Sequence, residues 1–234
     1  EQELLEEIYK MNPNIVLVLN NGRPLALPWA AEHIPAIVDA WHLGTQTGNA
    51  VAQVLYGDYN PSGKLPMSFP RNVGQVPIYY NNYNNGRPVN SDKNVFWSHY
   101  TDVEKTPLFP FGFGLSYTTF DYKNLKINKA SFAKGEPVVV SVDITNSGNY
   151  DGKEVVQLYI QDVAASLARP VKELKGFELI ALKKGETKTV TFTLTEKELG
   201  FYDNAGKYLV EAGTFKLMVG GSSDKGLEGQ FELE

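Results

Sequence analysis

Between positions 97 and 102 stand an indole, an imidazole, a phenol and a carboxylate: Trp97, His99, Tyr100 and Asp102. Aromatic faces stack on sugar rings and a carboxylate accepts from sugar hydroxyls, so these four are the candidate substrate-binding residues. A complete catalytic set is harder to assemble. Glycosidic bonds are ordinarily cleaved by two carboxyl groups, about 5 Å apart or wider with a water between them. The first half supplies Glu32, Asp39, Asp58, Asp92, Asp102 and Glu104, and none has a partner at a telling spacing. Asp58 lies in a Gly-Asp-Tyr-Asn-Pro turn, where an Asp ordinarily caps its own backbone. Asp39 sits in an apolar strand context, and Glu32 precedes His33 at a helix or turn.

Other chemistries are poorly represented. No two of the histidines His33, His42 and His99 lie three or four positions apart, so no metal site is expected. The absence of cysteine excludes a disulfide framework, a thiolate zinc site and a cysteine nucleophile. A G-x-S-x-G elbow and a phosphate-binding P-loop are both missing. Gly112 and Gly114 fall in a run of proline and aromatics, which suits backbone turning and the packing of Phe109, Phe111 and Phe113 better than phosphate binding. The residues alone therefore give no catalytic set, and no cofactor is expected.

The elements that must position the candidates divide by periodicity. Over residues 1–70 the pattern is α/β. Leu4, Leu5 and Ile8 mark an amphipathic helix stopped by Asn12-Pro13. Residues 15–19 form a continuous apolar run, which predicts a parallel strand buried on both faces. Residues 25–27 and 36–38 offer two further strands, and Ala50, Val51, Val54 and Leu55 a second helix. Residues 57–63 are turn chemistry throughout and read as a structural corner. Residues 71–120 have little periodicity and many aromatics, which predicts an ordered loop packed on something. From about residue 125 apolar residues alternate, as in Val138, Val140, Val142 and Ile144, with turns between the runs. About seven such strands predict a seven-stranded fibronectin type III-like β-sandwich, all-β after the α/β half. The expected boundaries are 1–75, 76–120 and 121–234.

Length and charge bound the partners. A chain of 234 residues accommodates two domains, and 42% hydrophobic residues supply a core. The net charge of −5 argues against nucleic acid, which needs a surplus of Lys and Arg on one face. The longest aliphatic run is far below the roughly 20 residues of a membrane-spanning helix, so no membrane partner is expected. The first residue, Glu1, falls directly inside a helical pattern without a capping residue, which predicts that the chain is part of a longer polypeptide.

Three strings carry a family likeness. Asn12-Pro13-Asn14-Ile15-Val16-Leu17-Val18-Leu19-Asn20-Asn21-Gly22-Arg23-Pro24 resembles the second domain of glycoside hydrolase family 3, the family of β-glucosidases and β-xylosidases. The likeness strengthens over residues 41–70, with Gly57-Asp58-Tyr59-Asn60-Pro61-Ser62-Gly63-Lys64-Leu65-Pro66. Residues 107–120, with Phe109-Pro110-Phe111-Gly112-Phe113-Gly114-Leu115-Ser116-Tyr117, resemble that family's junction into a fibronectin-like domain. The resemblance implies a partial α/β sandwich layer in the first half and a periplasmic or secreted enzyme. It also implies a retaining mechanism with an Asp on an upstream barrel domain of the same polypeptide and a Glu acid/base upstream of residue 15. No residue of this chain inherits either role, so no catalytic residue is assigned, and the implied substrate is a β-glucoside or oligosaccharide. Two other classes stay open: a carbohydrate-binding module built on the aromatic loop, and a structural module that braces neighbouring domains. A truncated α/β layer exposes strand edges and apolar faces, which predicts self-association or partial disorder near the N-terminus.

Overall fold

The computed structural model describes residues 1–84, 98 and 100–234. The α/β region begins with α1 (Gln2–Met11), which breaks at Asn12, the residue before Pro13. Tyr9 meets Trp29 edge-on with ring centroids 5.6 Å apart. Trp29 belongs to α2 (Pro28–His33), entered through a proline in its first turn. One turn later His33 stacks on Trp29 at 4.6 Å and donates its Nδ1 hydrogen to the Trp29 carbonyl at 2.9 Å. This histidine is thus satisfied structurally.

Strand β1 (Val16–Leu19) pairs in parallel with β2 (Ala36–Asp39), Val16 opposite Ala36 and Leu19 opposite Asp39. Helix α3 (Thr47–Leu55) follows and ends through Gly57 at φ +82°, a left-handed geometry that glycine adopts without strain. Parallel pairing matches the apolar run, but burial does not: Val16 is 48% exposed and the rest of β1 is half-buried. Parallel strands are buried only when helices cover both faces, and a two-stranded sheet with α1 and α3 lacking any buried residue has no such cover. Residues 25–27, expected as a strand, are irregular between Pro24 and Pro28.

The β-rich region contains β3 (Phe120–Ile127), β4 (Ser131–Phe132), β5 (Val138–Asn146), β6 (Gly152–Asp162), β7 (Glu173–Leu182) and β8 (Thr187–Leu194). It continues with α4 (Glu196–Leu199), β9 (Phe201–Tyr202), β10 (Tyr208–Leu209), β11 (Gly213–Gly220) and β12 (Leu227–Leu233). A five-stranded sheet has the order β4-β12-β11-β6-β7, a three-stranded sheet the order β3-β5-β8, and β9 pairs with β10. Ten strands thus occupy the stretch where about seven were expected; β4, β9 and β10 have two residues each, too few for alternation to register. One cluster of buried side chains draws on both larger sheets, including Val140 and Ile144 from β5, Leu158 from β6, Phe215 from β11 and Phe231 from β12.

Strand β6 departs from simple alternation. Its second face was expected outward, yet Gln157 is 2% exposed and Tyr159 1%. The irregular segment before residue 120 covers them: Tyr80 lies edge-on to Tyr159 at 5.7 Å and stacks on Phe111 at 4.3 Å.

Candidate functional site

The aromatic loop is fastened at both ends. On its N-terminal side the Val171 N–H donates to the Asn82 carbonyl at 2.9 Å, and the Leu174 N–H donates to the Tyr80 hydroxyl at 3.3 Å. On its C-terminal side Arg71 pairs with Glu104 at 3.0 Å and donates through Nε to the Thr106 carbonyl at 3.0 Å. The side chain of Gln75 donates to the Glu104 carbonyl at 2.7 Å. Of the candidate binding residues, Tyr100 is 46% exposed and Asp102 is exposed, while Trp97 and His99 lie outside the described residues. The structure thus leaves Tyr100 and Asp102 open to solvent between two anchored stems. Tyr79 and Tyr83 add exposed rings at the other stem.

Three residues missed by the sequence reading hold these parts together. Asn60, in the 57–63 turn, accepts from the Ser116 hydroxyl and the Tyr117 N–H, both at 2.8 Å, and donates to the Asp151 carbonyl at 2.9 Å. Next in the chain, Lys64 pairs with Glu154 at 3.0 Å and donates to the Gly114 carbonyl at 2.9 Å. Glu154 also accepts from the Tyr122 hydroxyl at 3.2 Å. Burial pushes the Glu154 carboxyl above the ordinary carboxylate range, opposed by Lys64 and Tyr122. The turn is therefore the corner expected, but one that also clasps the β-rich region. Only its many turn residues signalled this, because the partners are some 55 to 90 positions away.

The Phe-Gly-Phe-Gly run serves the same contact. A Cβ on Gly112 would fall 2.1 Å from the Gln157 side chain, and one on Gly114 would fall 2.2 Å from the Gly63 carbonyl oxygen. Gln157 donates to the Gly112 and Gly221 carbonyls at 3.2 and 2.7 Å. Phe109 stacks on Phe113 at 5.4 Å, as close packing requires.

Beside β1, β2 and α3 lies a groove of about 740 Å³. Its walls are chiefly aliphatic and aromatic, with Val38, Val54, Trp41, Phe69 and Phe113 among them. Among the described residues Asp39 is its one carboxylate and Lys64 its one ammonium. Oδ1 of Asp39 accepts the Trp41 N–H at 3.3 Å, and burial raises the carboxyl above its usual range. His42 donates through Nδ1 to the Asn20 side chain at 3.2 Å. Among the described residues no group of three or more His, Cys, Asp or Glu is placed to hold a metal ion, and no helix is long and apolar enough to cross a membrane.

The sequence profile of the glycosyl hydrolase family 3 C-terminal domain matches residues 1–117, and that of the fibronectin type III-like domain matches residues 154–223. The chain is 47% identical over 234 residues to a periplasmic beta-glucosidase of Salmonella typhimurium, covering 100% of this chain and 31% of that protein. It is 49% identical over 225 residues to a beta-xylosidase of Formosa agariphila, covering 95% of this chain and 30% of that one. The structure of a beta-glucosidase from Listeria innocua in complex with gluconolactone superimposes with a TM-score of 0.95 at 41% identity, covering 99% of this chain and 32% of that one. The chain thus spans about a third of the length of the relatives it matches. It belongs to glycosyl hydrolase family 3, as that family's C-terminal domain continued by a fibronectin type III-like domain.

Proposed function

We propose that this chain is the C-terminal scaffold of a retaining β-glucosidase that removes terminal β-glucosyl residues, with both catalytic carboxylates on polypeptide upstream of Glu1. The observation that carries this reading is the 47% identity of the whole chain to 31% of a periplasmic beta-glucosidase. In this reading residues 1–75 are one layer of an α/β sandwich, 76–120 the junction, and 121–234 a fibronectin type III-like sandwich of seven long strands. An upstream barrel domain is the first partner of residues 1–75, and Trp97, His99, Tyr100 and Asp102 wall the glycone site from the side. The name of the Salmonella relative supports a periplasmic or secreted location.

The test is hydrolysis of a nitrophenyl β-glucoside. This chain alone gives no turnover above buffer, and the longer polypeptide that contains it gives enzyme-like turnover. Activity of the purified chain alone would overturn the reading.

The exposed rings of Tyr79, Tyr83 and Tyr100, at 63%, 59% and 46%, favour a second reading, a carbohydrate-binding surface that works without the barrel. Oligosaccharide titration followed by tryptophan fluorescence, compared with Trp97→Ala, decides it. A saturable response lost in the variant supports a binding module, and a flat titration leaves the loop as a docking surface.

A further inference from the structure

Buried polar atoms in folded proteins almost always have a partner, so one without a partner points to a group that belongs there. Among the described residues three buried side-chain atoms have none: Asn21 Oδ1, Asp39 Oδ2 and Arg169 Nε. Two of the three stand at one edge of the α/β region. Asp39 is the last residue of β2 and pairs with Leu19, the last of β1, while Asn21 lies two residues beyond Leu19. Asn21 is 8% exposed, and its amide N–H is committed to the Arg23 carbonyl at 2.9 Å, which leaves its oxygen free to accept. Asp39 has committed only Oδ1, to the Trp41 N–H, and Trp41 takes φ +50°, a left-handed geometry uncommon for a bulky residue. Such backbone is retained where the surroundings fix it, often at sites that receive another group.

Both vacant atoms are acceptors and one carries a formal negative charge, so the matching group is a donor with positive charge. A guanidinium fits best, because it is always protonated and is more weakly hydrated than an ammonium, which suits an ion pair on an apolar wall. The groove beside Asp39 is apolar and covers the half-exposed faces of β1 and β2, so the cation would arrive on an apolar segment. The carboxyl ends of parallel strands are also where open α/β sheets take in incoming groups.

We propose that this edge is a socket for an arginine carried on an apolar segment of the polypeptide upstream of Glu1, which fills the groove and bonds Asp39. The proposal rests on the reading above that the chain is part of a longer polypeptide. Two observations select that occupant: the relatives run about three times as long as this chain, and the socket lies in residues 1–117, matched by the family's C-terminal domain rather than by the fibronectin-like one.

The experiment compares Asp39→Asn in this chain and in the longer polypeptide, reading the thermal midpoint in each and glucoside hydrolysis in the second. In this chain, removing an unpartnered, desolvated charge leaves the midpoint unchanged or raises it by about 3 °C. In the longer polypeptide the same change lowers it by about 5 °C or more, and Asp39→Glu recovers part of the loss. Shifts of the same sign and size in both contexts overturn the socket. So does a midpoint of the isolated chain that rises with added glucose in the parent but not the variant, which makes a sugar the occupant. A concentration-dependent midpoint abolished by Asp39→Asn makes a second copy the occupant and overturns it equally. If the longer polypeptide fails to hydrolyse the glucoside, the proposed function falls while the contrast in midpoints still decides the socket.

Discussion

Val138, Val140, Val142 and Ile144 of β5 are each 0% exposed, whereas Val16 of the equally apolar β1 is 48% exposed. In residues 1–75 the buried hydrophobic side chains are Ala30, Ile34 and Phe69, while the β-rich region fills a contiguous core from two sheets. Composition does not separate the two regions; cover does. An antiparallel array brings its own second layer, and a parallel pair depends on helices and further strands to close over it. The α/β region is accordingly held less by a core of its own than by its clasp on the β-rich region, through Asn60, Lys64 and the loop that buries Tyr159.

The largest expected effects sharpen that contrast in the cores. Leu158→Ala in β6 empties a fully buried site and costs about 2–5 kcal/mol in urea unfolding. Leu17→Ala in half-buried β1 costs about 1 kcal/mol or less, since little apolar area returns to water. Equal losses would break the comparison.

Next comes the clasp. Lys64→Met leaves the Glu154 carboxylate buried, with side-chain exposure of 6%, and costs about 3 kcal/mol. Lys64→Met with Glu154→Leu recovers most of that loss, because no charge then remains to be desolvated. A double variant no better than the single one would assign the loss to packing instead.

The exposed apolar side chains of α1, with Leu4 65% and Met11 82% exposed, predict concentration-dependent association by light scattering. Leu4→Glu weakens it. A strict monomer at high concentration counts against an uncovered face.

The smallest effect is a dependence on pH. Hydrogen bonds from Thr189 and Asn124, at 2.6 and 2.9 Å, hold the Asp143 carboxyl below its ordinary range. A depressed carboxyl stabilises the fold above its unfolded pKa, about 3.9, and that contribution is lost as pH falls through the lower folded value. Asp143→Asn therefore lowers stability slightly near neutrality, where that contribution is present, and flattens the stability curve below about pH 4. An unchanged acid limb would assign the acid sensitivity to other carboxylates.

Much of this was legible in the sequence, and the rest failed for identifiable reasons. Alternation placed β5, β6, β8 and β11, because a strand with one face on a core writes its period directly. The strands at 16–19 and 36–39 followed from apolar runs, but their pairing and their exposure did not, since hydropathy records what a strand can bury and not what covers it. Tyr159 and Gln157 were read as outward because their cover, Tyr80 and Gly112, lies some 45 to 80 residues earlier. At the candidate site, the exposure of Tyr100 and Asp102 fits an open loop, while the unpartnered oxygens of Asn21 and Asp39 left no pattern in sequence at all.

Amide hydrogen exchange on this chain tests the account most directly. The account predicts that amides of β5, β6 and β11 exchange only through global unfolding, at least about a thousandfold more slowly than those paired between β1 and β2. Equal protection of the two regions would contradict it, because residues 1–75 would then be as firmly held as the β-rich core.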